Sequence, residues 1–487
     1  MFEALMKGLA LKGHQVDVVS PFPLKKSFPN YTDTIVLAAE AHRVVNNVTY
    51  DGFAKTTLEL VHYIATEVGN KVCEGLRHSE MLKLIRNPPK DPPYDLVITQ
   101  VLSAHCFMAM GHHLKVPIIG VSASVLYPWG NGIIGNPANL AFVQNNFNDY
   151  VAPMTFWQRL LNTVSSVYID NYFQYYTSPQ DHVIKKYFGE EAPGVREVER
   201  SLALILVNSH PAMNGPKPTT SALIEVGGLH IQDDGAELPR DLKKWMDDST
   251  EGFIYFTLGS MVLIETFPEE TIRVFYKSFE KIAPIRILMK VRDPEKLLPG
   301  LPKNIRTFVW APQYKVLKHK NARAYITHGG LLSTQEAVHC AVPMIGMPLF
   351  ADQFVNVEFY TKKNIAVTLH YTDITEEKMD KALQEILFNP VYKNTIRKVS
   401  QQFLDRPMSA METATWWVEY VARHGSNVLR SPAMDLAWWQ IELLDVYAVL
   451  LLIAAVSVFI AIWLLRFIVN KLSGLGGRTV THSKKAN

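Results

Sequence analysis

Short apolar runs that alternate with helical stretches constrain this chain more than any other feature. From residue 15 to about residue 230 they are "VDVVS", "TIVLA", "DLVIT", "IIGVS" and "LALILVNS". A parallel strand is reached only through a crossover, and the crossover helices cover both sheet faces, so such runs predict a parallel α/β sheet. Around "GGLHIQDDGAELPRDLKKW" the apolar runs stop and Gly, Asp and Pro gather, which predicts a linker. A second series follows: "FIYFTLGS" (Phe253 to Ser260), "RILMKV", "IRTFVW", "AYITHGG", "MIGMP" and "IAVTLH", each leading into a segment that can form a helix. At 487 residues and 48% hydrophobic content the chain can bury more than one core. Two tandem α/β domains are expected, residues 1–232 and 233–425. A helical, aromatic-rich stretch from about Val391 to Gly425, with Trp416 and Trp417, could pack across both.

The first twenty residues, "MFEALMKGLALKGHQVDVVS", form the second half of a β-α-β unit. Phe2, Leu5, Met6 and Leu9 recur at helical spacing, Gly13 suits a left-handed cap, and Val16, Val18 and Val19 suit a buried strand. A crossover helix needs a preceding parallel strand. No basic segment followed by an apolar one opens the chain, so no signal peptide is evident there. Met1 therefore reads as an internal methionine, with a strand and a signal peptide expected ahead of it.

From Val446 to Leu465 the sequence "VYAVLLLIAAVSVFIAIWLL" carries no charge. At about 1.5 Å per residue it reaches roughly 30 Å, one bilayer core, which predicts a transmembrane helix rather than a buried core helix. Asp445 precedes it, while Arg466, Lys471, Arg478, Lys484 and Lys485 follow, so the positive-inside rule puts the C-terminus in the cytoplasm and the large region in the lumen. The expected order is a pre-membrane segment at 426–445, a span at 446–469 and a tail at 470–487. The terminal "KKAN" resembles a dilysine retrieval signal of endoplasmic-reticulum membrane proteins, or is a solvated basic tail. Asn30 ("NYT") and Asn47 ("NVT") are glycosylation sequons.

A net charge of +3 without a basic block interleaved with aromatics argues against a nucleic-acid partner. Cys73, Cys106 and Cys340 are too few and scattered for a disulfide scaffold or zinc site, and leave the redox compartment unread. No G-x-G-x-x-G follows a strand, which disfavours a dinucleotide dehydrogenase, and "GLGG" at 474–477 reads as a tail spacer.

The densest chemistry lies in "WAPQYKVLKHKNARAYITHGGLLSTQEAVHCAVPMIGMPLFADQ", residues 310–353. "AYIT" predicts a strand, His328-Gly329-Gly330 a tight turn and "LLSTQEAVHCA" a helix. Glycines permit close backbone approach, and the amides of a helix N-terminus attract phosphate, to which His328 adds a donor. Trp310 and Gln313, ending a strand on the same rim, can stack on a base and satisfy its polar groups. Glu336 can accept two hydrogen bonds from a ribose diol, and Asp352 with Gln353 can do the same for sugar hydroxyls. Singly, each has a plainer reading: Trp310 as core, Glu336 as a surface helix charge, Asp352 as a helix N-cap, His328 as a satisfied turn histidine. Their order together is what is specific.

The run W-x-P-Q, then T-H-G-G, then E, then P-L-F-x-D-Q resembles the signature of the membrane-bound UDP-glycosyltransferases of animals, and the likeness extends from Met1 through the tail. It implies a GT-B fold: two Rossmann-like domains facing a cleft, with the C-terminal one holding a UDP-sugar and the N-terminal one a lipophilic acceptor. Position by position it implies that Trp310 stacks on uracil and that Gln313 and Glu336 bind the nucleoside. Ser260, Thr327, His328 and Gly330 would hold the diphosphate, and Asp352 and Gln353 the sugar. No metal or resident cofactor is implied, the UDP-sugar being a co-substrate. Vertebrate members often place Asn where this chain has Leu332, and "GGLLSTQEA" is more similar to invertebrate members, for which UDP-glucose is the expected donor.

Inverting transfer needs a base for the acceptor hydroxyl and a carboxylate to orient it. By resemblance the base is a histidine in the loop before the first helix, ahead of Met1. Its acidic partner matches Gln100, which can hydrogen bond but cannot stabilise imidazolium by charge. His105 is expected to be a surface or cleft histidine rather than a substitute base, and His14 to be structural. The leading expectation is an endoplasmic-reticulum transferase acting on small lipophilic aglycones in detoxification. The rival is a catalytically impaired donor-binding subunit that pairs with full-length relatives, as a homo- or hetero-oligomer. Residues 127–180, with the Gly- and Pro-rich "YPWGNGIIGNPANL", could line an acceptor pocket or form a plain surface loop.

Overall fold

The computed structural model describes residues 1–37, 48–52, 56–233, 235 and 237–476. The chain divides into a compact unit, Met1–Ser431, and a smaller one from Pro432 on. Asn47, Gly477, Arg478 and the "KKAN" end lie outside the described residues, while residues 474–476 of "GLGG" belong to the last helix rather than to a spacer.

The first half of the larger unit opens with the helix Phe2–Leu11 and carries β1 (Val16–Ser20), β2 (Tyr31–Val36), β3 (Val97–Gln100), β4 (Ile118–Ser122), β5 (Leu202–Val207) and β6 (Leu223–Glu225). All pair in parallel, but in two sheets: β1-β2, and β3-β4-β5-β6. β4 and β5 are buried throughout, as strands covered on both faces must be, whereas β3 is half-buried and its last residue, Gln100, is exposed. The two sheets share one core, in which Leu5, Leu9 and Ile35 join Val101, Ile119 and Leu204. The Tyr94 hydroxyl, just ahead of β3, donates to Asp17 on β1 at 2.7 Å.

In that core Cys73 and Cys106 form a disulfide, both fully buried, while Cys340 is free. Spacing along the chain hid this pair, because two short helical turns bring positions 33 apart into contact. His105 also departs from expectation: it lies neither on the surface nor in a cleft. It is 1% exposed, and its Nδ1 pairs with Glu199, which Arg196 grips through both carboxylate oxygens. His14 is exposed and contacts Glu419 at 3.2 Å. Asn30 is exposed, but its side-chain nitrogen donates to the Ala10 carbonyl.

The second half holds β7 (Phe253–Thr257), β8 (Arg286–Lys290), β9 (Ile305–Phe308), β10 (Ala322–Thr327), β11 (Met344–Gly346) and β12 (Ala366–Thr368) in one sheet, ordered β12-β11-β10-β7-β8-β9. Every pairing is parallel. Side chains alternate between two cores with the two-residue period of a strand: Ile254 and Phe256 enter one, Phe253 and Tyr255 the other. The closing helices serve both halves. Pro390–Leu404 sends Ile396 and Phe403 into the second half, and Ala410–His424 sends Ala414, Val418 and Val421 into the first. Both faces of each major sheet are thereby sealed, and the strand ends are left as the places where function can sit.

The smaller unit is dominated by the helix Leu444–Gly476, preceded by exposed Trp438 and Trp439. Within its stretch Leu444–Ser473 the most apolar window of 18 residues has a mean hydropathy of 3.0 and no buried residue. That length and composition fit a membrane anchor.

Candidate functional site

Because the six strands of the second sheet are parallel, their carboxyl ends share one edge. The turns after β7, β9, β10 and β11 carry Ser260, Trp310, His328 and Asp352 onto it. The sequence thus scattered over ninety residues the side chains that this edge collects.

The turn after β10 is built around His328. A Cβ at Gly259 would come within 2.8 Å of its ring and one at Gly330 within 2.5 Å, so two glycines make room for one imidazole. Gly329 has φ +86° and its amide donates to Thr327 Oγ1 at 3.3 Å; Gly259, φ +80°, does the same to Thr257 at 3.2 Å. Two equivalent turns therefore follow the adjacent strands β7 and β10, each with its backbone bared by glycine. Burial, aided by the Lys290 charge, lowers the His328 pKa to about 4, so the ring is neutral at physiological pH. Its Nδ1 is buried with no partner among the described residues, so the histidine is not a satisfied one. Ser260 is exposed beside it. A compact polyanion would find backbone amides, a hydroxyl and a neutral imidazole here, with Lys290 nearby; the ammonium donates to the Gly259 carbonyl at 2.7 Å.

Farther along the edge a second group forms. Gln313 begins the short helix Gln313–Leu317 rather than ending a strand. Its Nε2 donates to Glu336 Oε2 at 2.7 Å, and its Oε1 accepts from the Tyr325 hydroxyl at 3.3 Å, which fixes the amide's orientation. Glu336 is not a surface charge: its side chain is 16% exposed and burial raises its pKa to about 7. The linker residue His230 stands 3.7 Å from it and donates Nε2–H to the Leu332 carbonyl. Trp310 is 72% exposed and so is not core; its ring is open to solvent three residues ahead of Gln313.

The third group follows β11. Ala351 has φ +56°, a conformation costly for a residue with a Cβ, and the strain falls immediately before Asp352. Asp352 occupies the N-cap position of the helix Gln353–Lys362, yet its side chain does not cap; it accepts from Asn356 Nδ2 at 3.0 Å. Burial pushes its carboxyl above the usual range. Gln353 spends Oε1 on the amides of Leu349 and Phe350, at 2.9 and 3.1 Å, which leaves its Nε2 donors for a ligand. Asn356 also donates to the Gly329 carbonyl at 3.2 Å, tying this turn to the His328 turn. Sequence reading missed His230, Lys290, Tyr325 and Asn356, since each acts through a partner distant in sequence and none stands in a recognisable motif.

The first half meets this edge through Tyr127. Its hydroxyl is held neutral by burial and by the nearby Asp352 charge. Tyr127 stacks on Trp129 (ring centroids 4.9 Å) and Trp129 on Phe173 (4.1 Å), with Trp129 Nε1 donating to the Leu102 carbonyl at 2.8 Å. An aromatic wall thus stands against the Asp352 carboxylate.

Comparison with known proteins places the whole chain. Residues 22–479 match the family described as UDP-glucoronosyl and UDP-glucosyl transferase. "UDP-glucosyltransferase 2" of Dactylopius coccus is 33% identical over 96% of this chain and 90% of its own length. "UDP-glycosyltransferase UGT5" of the same insect is 35% identical over 95% and 88%. "UDP-glucuronosyltransferase 2B15" of Rattus norvegicus is 28% identical over 96% and 91%. Among solved structures, glycosyltransferase VinC in complex with DTDP superposes with TM-score 0.54 at 17% identity, over 86% of this chain and 95% of that one. The glycotransferase of kitacinnamycin gives 0.56 at 16% identity over 85% and 94%; at such identity the likeness speaks to the GT-B fold alone.

Proposed function

Since this chain belongs to the UDP-glycosyltransferase family, whose members move a sugar from a UDP-sugar to an acceptor, we propose that it transfers a hexosyl group, glucose, to small lipophilic hydroxylated molecules with inversion. The observation that carries this reading is the division of one sheet edge into three chemistries. Trp310, Gln313 and Glu336 suit a nucleoside, Ser260, Thr327, His328 and Gly330 a diphosphate, and Asp352 with Gln353 a sugar. The acceptor oxygen attacks the anomeric carbon as the bond to UDP breaks, and the acceptor proton passes to a base. The donors around His328 stabilise the charge that grows on the departing diphosphate. The Tyr127, Trp129 and Phe173 wall favours an apolar acceptor. The printed name of the Dactylopius coccus glucosyltransferase supports glucose.

Membrane anchoring by Leu444–Ser473, with Met1–Ser431 in the endoplasmic-reticulum lumen, belongs to the same proposal. It is supported by the charge asymmetry around the span and by the Cys73–Cys106 disulfide, a bond of oxidising compartments. Incubating the full chain with UDP-glucose and a lipophilic phenol tests the reading. A β-glucoside is expected, and retention of configuration would overturn the inverting mechanism. Gln100, exposed and uncharged at the end of β3, favours a second reading, a donor-binding partner subunit. UDP-glucose binding without turnover would select it.

A further inference from the structure

The segment that joins the two halves of the larger unit does not simply bridge them. After β6 it lies along the helix Leu331–His339 and is held at three points. The Gly228 amide donates to Gln335 Oε1 at 2.9 Å, His230 Nε2 donates to the Leu332 carbonyl at 3.0 Å, and Arg406 Nη2 donates to the Gly227 carbonyl at 2.7 Å. Gln335 is fully buried, so the first of these bonds is shielded from water. A helical carbonyl points toward the residue one turn on, and one turn beyond Leu332 stands Glu336. The ring that bonds Leu332 is thereby delivered beside the carboxylate, with Nε2 3.7 Å from Oε1.

The tautomer of the ring follows from its partner. A carbonyl only accepts, so Nε2 carries the proton and Nδ1 is bare. Nδ1 is buried without a hydrogen-bond partner among the described residues, and the side chain is 8% exposed. An acceptor left unpaired in the interior is costly, and a leucine would pack there without that cost. What the imidazole adds is one N–H beside Glu336. Gln313 Nε2 already serves Oε2 at 2.7 Å, whereas Oε1 receives no hydrogen bond among the described residues. We propose that His230 is a positioning residue for the nucleoside: with Gln313 on the other oxygen, it sets the plane of the Glu336 carboxylate and keeps Oε1 turned to a ribose hydroxyl, so that the linker forms part of the donor site. The inference rests on the nucleoside reading of Glu336 given above. At 3.7 Å the N–H is too far for a hydrogen bond to Oε1 and acts as a fixed dipole, which favours the ionised carboxylate.

The test is calorimetric titration of the full chain with uridine and with inorganic pyrophosphate from pH 6 to pH 8, in the unchanged chain and in His230→Leu, His230→Asn and His230→Gln. A glutamine can set its Nε2 where the imidazole Nε2 stands, and the shorter asparagine cannot. The Leu and Asn variants should bind uridine about fivefold more weakly. In both, the rise of uridine affinity should move to higher pH, because the carboxylate has lost the dipole that favoured its ionised form. The Gln variant should stay within about twofold of the unchanged chain. Pyrophosphate affinity should be the same in all four. Tyr255, Tyr325, Cys340 and the Met1 amine also sense the Glu336 charge, and all four chains share them, so differences report position 230. Three variants that weaken uridine alike, with the rise at an unchanged pH, show a packing role and overturn the inference, as do three that bind uridine like the unchanged chain. If the Leu variant fails to fold, Asn against Gln decides, and equal uridine affinities there overturn it. An unchanged chain that binds pyrophosphate but not uridine overturns the nucleoside reading itself.

Discussion

In the second half of the larger unit six parallel strands run without interruption, and the candidate donor residues hang from their carboxyl edge. Among the described residues of the first half the same number of strands divides into a pair and a four, and the chemistry there is a buried ion cluster, a disulfide and a stacked aromatic wall. The difference teaches where specificity is stored. A continuous sheet holds turns such as those at Gly259 and Gly329 in fixed relation, which suits a ligand with an invariant nucleotide. The first half is stapled from within, and its loops are free to shape a pocket for a variable partner.

Breaking the staple should give the largest effect and should leave the donor edge alone. Replacing Cys73 and Cys106 by Ser opens a loop of 33 residues, which costs about 3–4 kcal/mol by loop-closure entropy. Thermal unfolding should begin far earlier while the affinity for UDP, by calorimetry below that transition, is unchanged; a parallel loss of UDP affinity would show that the two halves are not separable. Next in size is Gly330→Ala. Its new Cβ would lie 2.5 Å from His328 Nε2, so the ring must leave its place, and the loss of about 2 kcal/mol corresponds to roughly 30-fold in UDP affinity. An unchanged affinity would remove His328 from the diphosphate site.

A smaller, pH-dependent effect separates nucleoside from diphosphate. With its pKa raised to about 7, Glu336 is mostly protonated at pH 6 and ionised at pH 8, so uridine affinity should rise about tenfold across that range and be flat in Glu336→Gln. His328 and His230, lowered to about 4 and about 3, stay neutral there and do not confuse the profile. The stability signs are opposite. Glu336 binds its proton more tightly folded than unfolded, so its contribution fades as pH rises from 4.5 to about 7. The two histidines bind theirs less tightly when folded, so theirs is lost as pH falls below 6.5. The smallest effect is expected from Gln100→Glu, an exposed strand-end change that should move stability by no more than about 0.5 kcal/mol and leave UDP affinity untouched.

Much of the second half was legible because strand periodicity and glycine turns are local. Thr327 to Gly330 and Glu336 could be placed from spacing alone, and β1 and β4 lie where their apolar runs predicted. What escaped depends on contacts between distant positions. β6 is a three-residue strand with too short a run to register, His105 and Glu199 are 94 positions apart, and the bonds from the Leu349 and Phe350 amides that fix Gln353 Oε1 are invisible in a sequence pattern. His230 lies in the linker, where composition announces a boundary and says nothing of a neighbour for Glu336.

Calorimetric titration of the full chain with UDP and with uridine tests most directly the division of this edge into nucleoside and diphosphate parts. UDP should bind more tightly than uridine, Trp310→Ala and Glu336→Gln should weaken both by similar factors, and Gly330→Ala should weaken UDP alone. Equal affinity for UDP and uridine, or a Gly330→Ala chain that loses both alike, would contradict it.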